Sequence, residues 1–168
     1  MRETWITRDG TEMELRPIQD SDGNLLVPFV KHLSFGTRYF RYGRGNFELQ
    51  EQDIQRVCHP DPERCVHLLV LMPTTANQAV VGSGRILFEA GAKNCELEMT
   101  VTDTWQRRGV GQHLLEALIE TARCKGQTQM WARMLATNRT MIAFLGRRGF
   151  LVSDYGDGIA LKIARLTL

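Results

Sequence analysis

No apolar run in the 168-residue sequence is long enough to span a bilayer, and Met1-Arg2-Glu3-Thr4-Trp5 lacks the apolar core of a secretory signal. Neither sign of charge dominates. Twenty-one Lys and Arg against 19 Asp and Glu leave a formal +2, too little to single out nucleic acid or a membrane surface as partner. Cysteine is sparse as well: Cys58, Cys65, Cys95 and Cys124 form no CxxC pair, and Cys95 and Cys124 fall inside apolar patterns. The spacing of Cys58-His59, Cys65 and His67 fits no common zinc module, so reduced, packed thiols and no metal are expected. Repeats, low-complexity tracts and linkers are missing too. What is present, 43% apolar and 24% charged residues, is the balance of a globular chain with a core of its own. The expectation is a soluble, cytoplasmic, single-domain protein over residues 1–168, with no nucleic acid or membrane among its partners.

Periodicity divides the chain into short elements. Thr11 to Ile18 alternates polar and apolar residues and reads as a first strand stopped by Pro17. Asp20-Ser21-Asp22 offers N-cap chemistry to a helix carrying Leu25, Leu26, Phe29, Val30 and Leu33, which Pro28 shortens or kinks unless it falls in the first turn. Thr37 to Gly45 is aromatic and basic, and Leu49 to Cys58 reads as another short helix. Val66–Met72, Ala79–Glu89 and Cys95–Thr102 read as three strands. Val110, Leu114, Leu115, Leu118, Ile119 and Ala122 form the stripe of an amphipathic helix closed by Gly126. A strand over Gln127–Leu135, a helix from its cap Asn138 to Leu145, and a terminal hairpin about Gly156-Asp157-Gly158 complete an α/β pattern.

One junction carries chemistry. Between a strand and the long helix lies Gln106-Arg107-Arg108-Gly109-Val110-Gly111. Glycines let the chain turn tightly, so that successive N–H groups converge, and the helix N-terminus adds unpaired donors and about half a positive charge. Such a loop suits phosphate, although many glycine pairs before helices are plain tight turns. No Gly-Lys-Ser/Thr follows, and the third glycine of a dinucleotide fingerprint is missing.

With that loop, Glu96 to Gly111 (ELEMTVTDTWQRRGVG) resembles the fourth strand and coenzyme A loop, Gln/Arg-x-x-Gly-x-Gly/Ala, of the GNAT superfamily. Asn138 to Phe150 (NRTMIAFLGRRGF) resembles the helix of that family that ends in Gly-Phe, and the order of elements is similar along essentially the whole chain. The resemblance implies one GNAT domain: a mixed, mostly antiparallel sheet of about seven strands, four helices, and a splay between the fourth and fifth strands. It implies acetyl-CoA as co-substrate. Pyrophosphate is expected at the amides of Arg107, Arg108, Gly109, Val110, Gly111 and Gln112 after Gln106. The acetyl and pantetheine arm is expected beside the backbone of Met99, Thr100 and Val101. Asn138 is expected near the pantetheine or sulfur, besides capping its helix. Arg107, Arg108 and Arg139 are candidates for neutralising phosphate charge, although each alone is an ordinary surface residue.

Acetyl transfer to an amine sets a clear demand. A lysine amine with a pKa of about 10.4 is nucleophilic in only about one molecule in a few thousand at neutral pH, a handicap of about 4–5 kcal/mol without a base. The leaving thiol, with a pKa of about 8.5, departs without an acid. Glu96 and Glu98, two apart on one strand, share a face about 7 Å apart; repulsion and partial burial would raise one carboxyl. The alternative is a pair of solvent-facing carboxylates. In the bacterial protein lysine acetyltransferases that the sequence resembles, a glutamate at the position of Glu96 is the base, which makes Glu96 the first candidate and Glu98 the second. Many members carry a tyrosine as general acid where this chain has Leu145. Leu33-Ser34, Thr37-Arg38-Tyr39 resembles the acceptor-side segment of that branch, so Arg38 to Tyr42 are expected either at an acceptor cleft or as core aromatics and surface arginines. A protein lysine, a small amine and no acceptor at all, as in a non-catalytic acyl-CoA-binding module, remain open. Edge strands of the terminal hairpin give a homo-oligomer a geometry for pairing.

Overall fold

The computed structural model describes residues 2–75, 77–156 and 158–168. Among them, eight strands form one sheet in the order β1-β2-β3-β4-β5-β6-β8-β7. They are β1 (Glu3–Ile6), β2 (Glu12–Pro17), β3 (Cys65–Pro73), β4 (Gln78–Phe88), β5 (Asn94–Val101), β6 (Gln129–Leu135), β7 (Leu151–Tyr155) and β8 (Gly158–Thr167). Five α-helices accompany them: α1 (Gly23–His32), α2 (Phe35–Tyr42), α3 (Glu51–Cys58), α4 (Val110–Cys124) and α5 (Arg139–Gly146). All neighbours are antiparallel except β5 and β6, whose parallel pairing covers only Asn94–Glu96 against Gln129–Trp131. Beyond Glu96 these two strands part, which is the expected splay.

The α/β architecture matches the sequence expectation, with one more strand and one more helix. The extra strand is β1. Its four residues are too short to show a period, and only pairing with β2, from Glu3↔Leu15 to Ile6↔Glu12, makes them a strand. The extra helix is α2, in the aromatic and basic segment; Ser34 caps it by accepting from the Thr37 N–H at 3.2 Å. Pro28 falls inside α1 rather than in its first turn. Proline there forgoes one backbone bond, and burial of Leu26, Phe29 and Val30 holds the helix through it. The turn between β3 and β4 and the terminal hairpin include Ala76 and Asp157, which lie outside the described residues.

Two apolar cores sit on opposite faces of the sheet. On one, α4 lays Val110, Leu114, Leu115, Leu118 and Ala122, each 0% exposed, against Leu68, Val70, Ile86, Leu97 and Met130. On the other, Leu26, Phe29, Val30 and Leu33 of α1 and its end meet Leu69, Leu71 and Val80. At about 25 cal/mol per Å² these faces supply most of the drive to fold. All four cysteines are free; Cys58 and Cys95 are buried, but Cys124, at the end of α4, is exposed rather than packed. Among the described residues no helix is long and apolar enough to cross a membrane, and no three His, Cys, Asp or Glu side chains gather to hold a metal.

Candidate active site

The splay between β5 and β6 opens into a cleft of about 1470 Å³. Its walls are β5 from Glu96 to Val101, the loop before α4, α5 with Asn138, the start of α2, and residues Trp5–Asp9. The cleft is where open α/β sheets place ligands, beyond the point at which neighbouring strands separate.

At the entry to α4 the backbone is unusual. Arg107 and Gly109 have φ of 60° and 91°, both left-handed. The N–H groups from Arg107 to Gln112 find no protein acceptor among the described residues; the first helical bond is that of His113 to the Gly109 carbonyl, 3.1 Å. A row of unpaired donors at a helix N-terminus fits the phosphates of a coenzyme A thioester. Gln106 stays out of that row, its side-chain amide donating to the Val101 carbonyl at 3.1 Å. Arg108 is engaged as well: its guanidinium meets Asp9 at 2.6 Å and lies 5.0 Å over the Trp105 ring. Arg107 has no carboxylate partner among the described residues, and Arg139 does not line the cleft. Arg147 and Arg148 do, and Arg148 lies 3.9 Å over the Phe144 ring while donating to the Gln112 side chain at 3.2 Å.

Along β5, Met99, Thr100 and Val101 pair with Gly84, Ser83 and Gly82 of β4 and have no partner on the β6 side. That leaves backbone groups on an open edge, where an extended arm can bond as a strand would. Asn138 caps α5, accepting from the Met141 N–H at 3.2 Å, and lines the cleft. Leu145, where a tyrosine would be the general acid, is 0% exposed and absent from the lining.

Glu96 and Glu98 lie in different surroundings. Glu98 takes Arg41 of α2 at 2.8 Å and Arg85 of β4, both on the same oxygen. Burial pushes the Glu98 carboxyl up, but the two guanidiniums outweigh it and hold it below the usual glutamate range. Among the described residues Glu96 has only Arg133 of β6, at 3.7 Å. Burial, then the charge of Glu98, raises its carboxyl above the usual range, with the arginines offsetting part of the rise. One face thus carries a saturated carboxylate and a more basic one.

Of the aromatic and basic helix, Phe40 and Arg41 reach the cleft. Tyr42 instead stacks on Phe47 at 4.1 Å in the α1-side core, and Arg38 donates to the Phe47 carbonyl at 3.4 Å. Asp103, just after β5, accepts from the Ser34 N–H, the Ser34 hydroxyl and the Thr37 hydroxyl, each at 2.8 Å. This clasp ties the start of α2 to the segment leading into α4. Sequence reasoning missed it because its partners are 66 and 69 positions away. The β1–β2 hairpin was missed in the same way; Trp5 stacks on His113 of α4 at 4.3 Å. Arg147 and Arg148 were missed as well, although they are two consecutive arginines just before Gly149-Phe150.

Known proteins share this fold. The model described as acetyltransferase (GNAT) family matches residues 28–150. Acetyltransferase PA5475 of Pseudomonas aeruginosa is 27% identical over 160 residues, 95% of this chain and 86% of that protein. The crystal structure of the GNAT domain of S. lividans PAT is 25% identical, covers 99% of this chain and 97% of that one, and superposes with a TM-score of 0.87. RimL, a ribosomal L7/L12 alpha-N-protein acetyltransferase in complex with coenzyme A, shares the fold at 14% identity, with 99% and 98% coverage and a TM-score of 0.75. An open strand edge, a loop of unpaired amides and a family match spanning both lead to one conclusion: the chain belongs to the acetyltransferase (GNAT) family and is an acetyl-CoA-dependent N-acetyltransferase.

Proposed function

We propose that this enzyme acetylates protein lysines in the cytoplasm, as one GNAT domain, with Glu96 as general base. The observation that carries the choice of base is the unequal treatment of two neighbouring carboxylates. Arg41 and Arg85 saturate Glu98, while Glu96 keeps a raised affinity for protons beside the opening between β5 and β6. A lysine amine entering there gives its proton to the Glu96 carboxylate as its nitrogen bonds to the acetyl carbon. The carbon–sulfur bond breaks, and the thiolate leaves without a proton donor, in keeping with Leu145 being buried. Acetyl-CoA supplies the activated acyl group. The amides of Arg107 to Gln112 hold its pyrophosphate, the open edge of Met99–Val101 aligns the pantetheine arm, and Asn138 stands beside it. The four free thiols accord with a reducing compartment.

Thiol release from acetyl-CoA, with a lysine-rich protein mixture set against a panel of small amines, tests the acceptor. Turnover with the proteins, and acetyl-lysine found in them by mass spectrometry, is expected. Release with small amines alone would replace the protein-lysine assignment by a small-amine one. Binding of acetyl-CoA without release from any amine would leave a sensor.

The amide row has its own test. A β-carbon at Gly109 meets nothing within 4 Å, so its φ of 91° alone opposes substitution. Gly109→Ala should cost about 1–2 kcal/mol in the bound loop geometry, weakening acetyl-CoA binding about tenfold by calorimetry. The ligand-free loop has the same φ of 91°, so the melting temperature should fall by a few degrees too, and an affinity and a melting temperature both unchanged would remove the amides from the phosphate site.

A further inference from the structure

The α4–α5 side of the C-terminal strands is covered: Met130, Ala132, Met134, Val152, Ala164 and Leu166 pack into the α4 core. Their opposite face is open at Leu151, Arg165 and Arg133, with Ile163 buried between them. One cross-strand row runs Glu96, Trp131, Arg165, Leu151 across β5, β6, β8 and β7. The next holds Arg133, Ile163 and Ser153. Leu151 is 80% exposed and Tyr155 39%. The Arg133 guanidinium lies 5.9 Å from the Trp131 ring and 5.5 Å from the Tyr155 ring, which fixes it on this face. Arg165 has only the Ser153 hydroxyl, at 3.5 Å, and no carboxylate among the described residues.

We infer that this open face of β6, β8 and β7 docks the acceptor protein, taking an apolar side chain at Leu151 and an acidic one at Arg165 while the lysine reaches Glu96. The inference rests on the protein-lysine assignment. Strands lie about 4.8 Å apart, so Arg165 is about 10 Å from Glu96 along the row, the span of about three extended residues. Side chains of an extended segment alternate, so an acidic residue two positions from the lysine and an apolar one two further along share the lysine's side, about 7 and 13 Å away, and match Arg165 and Leu151. Access to Glu96 and charge decide between occupants. A second copy packed on this face would cover Glu96, whereas an acidic acceptor complements Arg165, which meets no carboxylate among the described residues.

Three acceptors serve the test on the whole chain: a peptide with Glu two residues from its lysine and Leu two further along, the same peptide with Arg in place of Glu, and N-acetyl-lysine amide. Wild type should acetylate the Glu peptide with a KM about fivefold below that of the Arg peptide. Arg165→Glu should invert that order, and Leu151→Asp should raise KM for both peptides about tenfold. Turnover of N-acetyl-lysine amide should stay at the wild-type value in both variants, which also certifies their folding. Peptide kinetics indifferent to both substitutions would overturn the docking surface and leave the protein-lysine assignment standing. Equal losses on peptides and on the small amide would overturn it too, as would a dimer in sedimentation that Leu151→Asp dissolves. Acetylation of small amines but of no peptide or protein would sink the assignment and the surface together.

Discussion

Replacing Glu96 with glutamine is expected to lower kcat/KM by about 10²–10⁴-fold while acetyl-CoA affinity stays at the wild-type value, the range for loss of a positioned base. The sign of the pH effect follows from the site. Glu96 works only when ionised, and burial with the Glu98 charge raises its carboxyl, so wild-type activity should fall on acidification at a higher pH than for an ordinary glutamate. In Glu96→Gln that acid limb should vanish, leaving the ionisation of the acceptor amine. Glu98→Gln makes the informative companion. It removes the charge that helps raise Glu96, which moves the acid limb to lower pH, and it leaves Arg41 and Arg85 without their carboxylate. Rates measured from pH 5 to 9 with one acceptor separate the two; a Glu96→Gln enzyme as fast as wild type would end the assignment of the base.

Asp22→Ala should destabilise the protein by about 3–5 kcal/mol, a large share of the roughly 5–15 kcal/mol that holds an ordinary domain. Arg16, at the end of β2, donates through both terminal nitrogens to Asp22 at 2.7 Å each, with side chains 7% and 3% exposed. Asp22 also accepts from the Gln19 N–H at 2.7 Å. Removing the carboxylate strands a buried guanidinium that keeps only the Pro17 carbonyl, 3.0 Å away. The pair fixes the start of α1, and α1 leads into the acceptor wall of α2. Burial pushes the Asp22 carboxyl up, but the Arg16 and Gln19 bonds prevail and depress it. Its stabilisation is therefore complete above the unfolded-state pKa and is lost as pH falls through the lower folded value. Urea unfolding at neutral and acid pH should show a wide gap between wild type and variant that narrows in acid. A constant gap would assign the effect to packing instead of charge.

Much of the scaffold was legible in the chain because local rules dictate it. The α4 stripe is a 3.6-residue period, and the structure buries it along the expected line, with Ile119 only at its margin. Asn138 announces α5 by capping chemistry, and Gly109 marks a turn that needs positive φ. Elements that depend on distant partners were not legible. β1 exists through β2, α2 is anchored by Asp103, and Pro28 sits within α1 because apolar burial outweighs one lost hydrogen bond.

The candidate site divides in the same way. Alternation along β5 put Glu96 and Glu98 on one face, and the glycine loop before a helix announced a row of amides. Both follow from sequence alone, because strand and helix periods are properties of a few consecutive residues. Which carboxylate stays basic was decided by the tertiary structure. Arg41, Arg85 and Arg133 arrive from α2, β4 and β6, two of them closing on Glu98 and one standing 3.7 Å from Glu96. Arg108, a phosphate candidate in the sequence, was likewise drawn to Asp9 of a distant hairpin. Electrostatic environment depends on distance in space, and only the folded chain sets those distances.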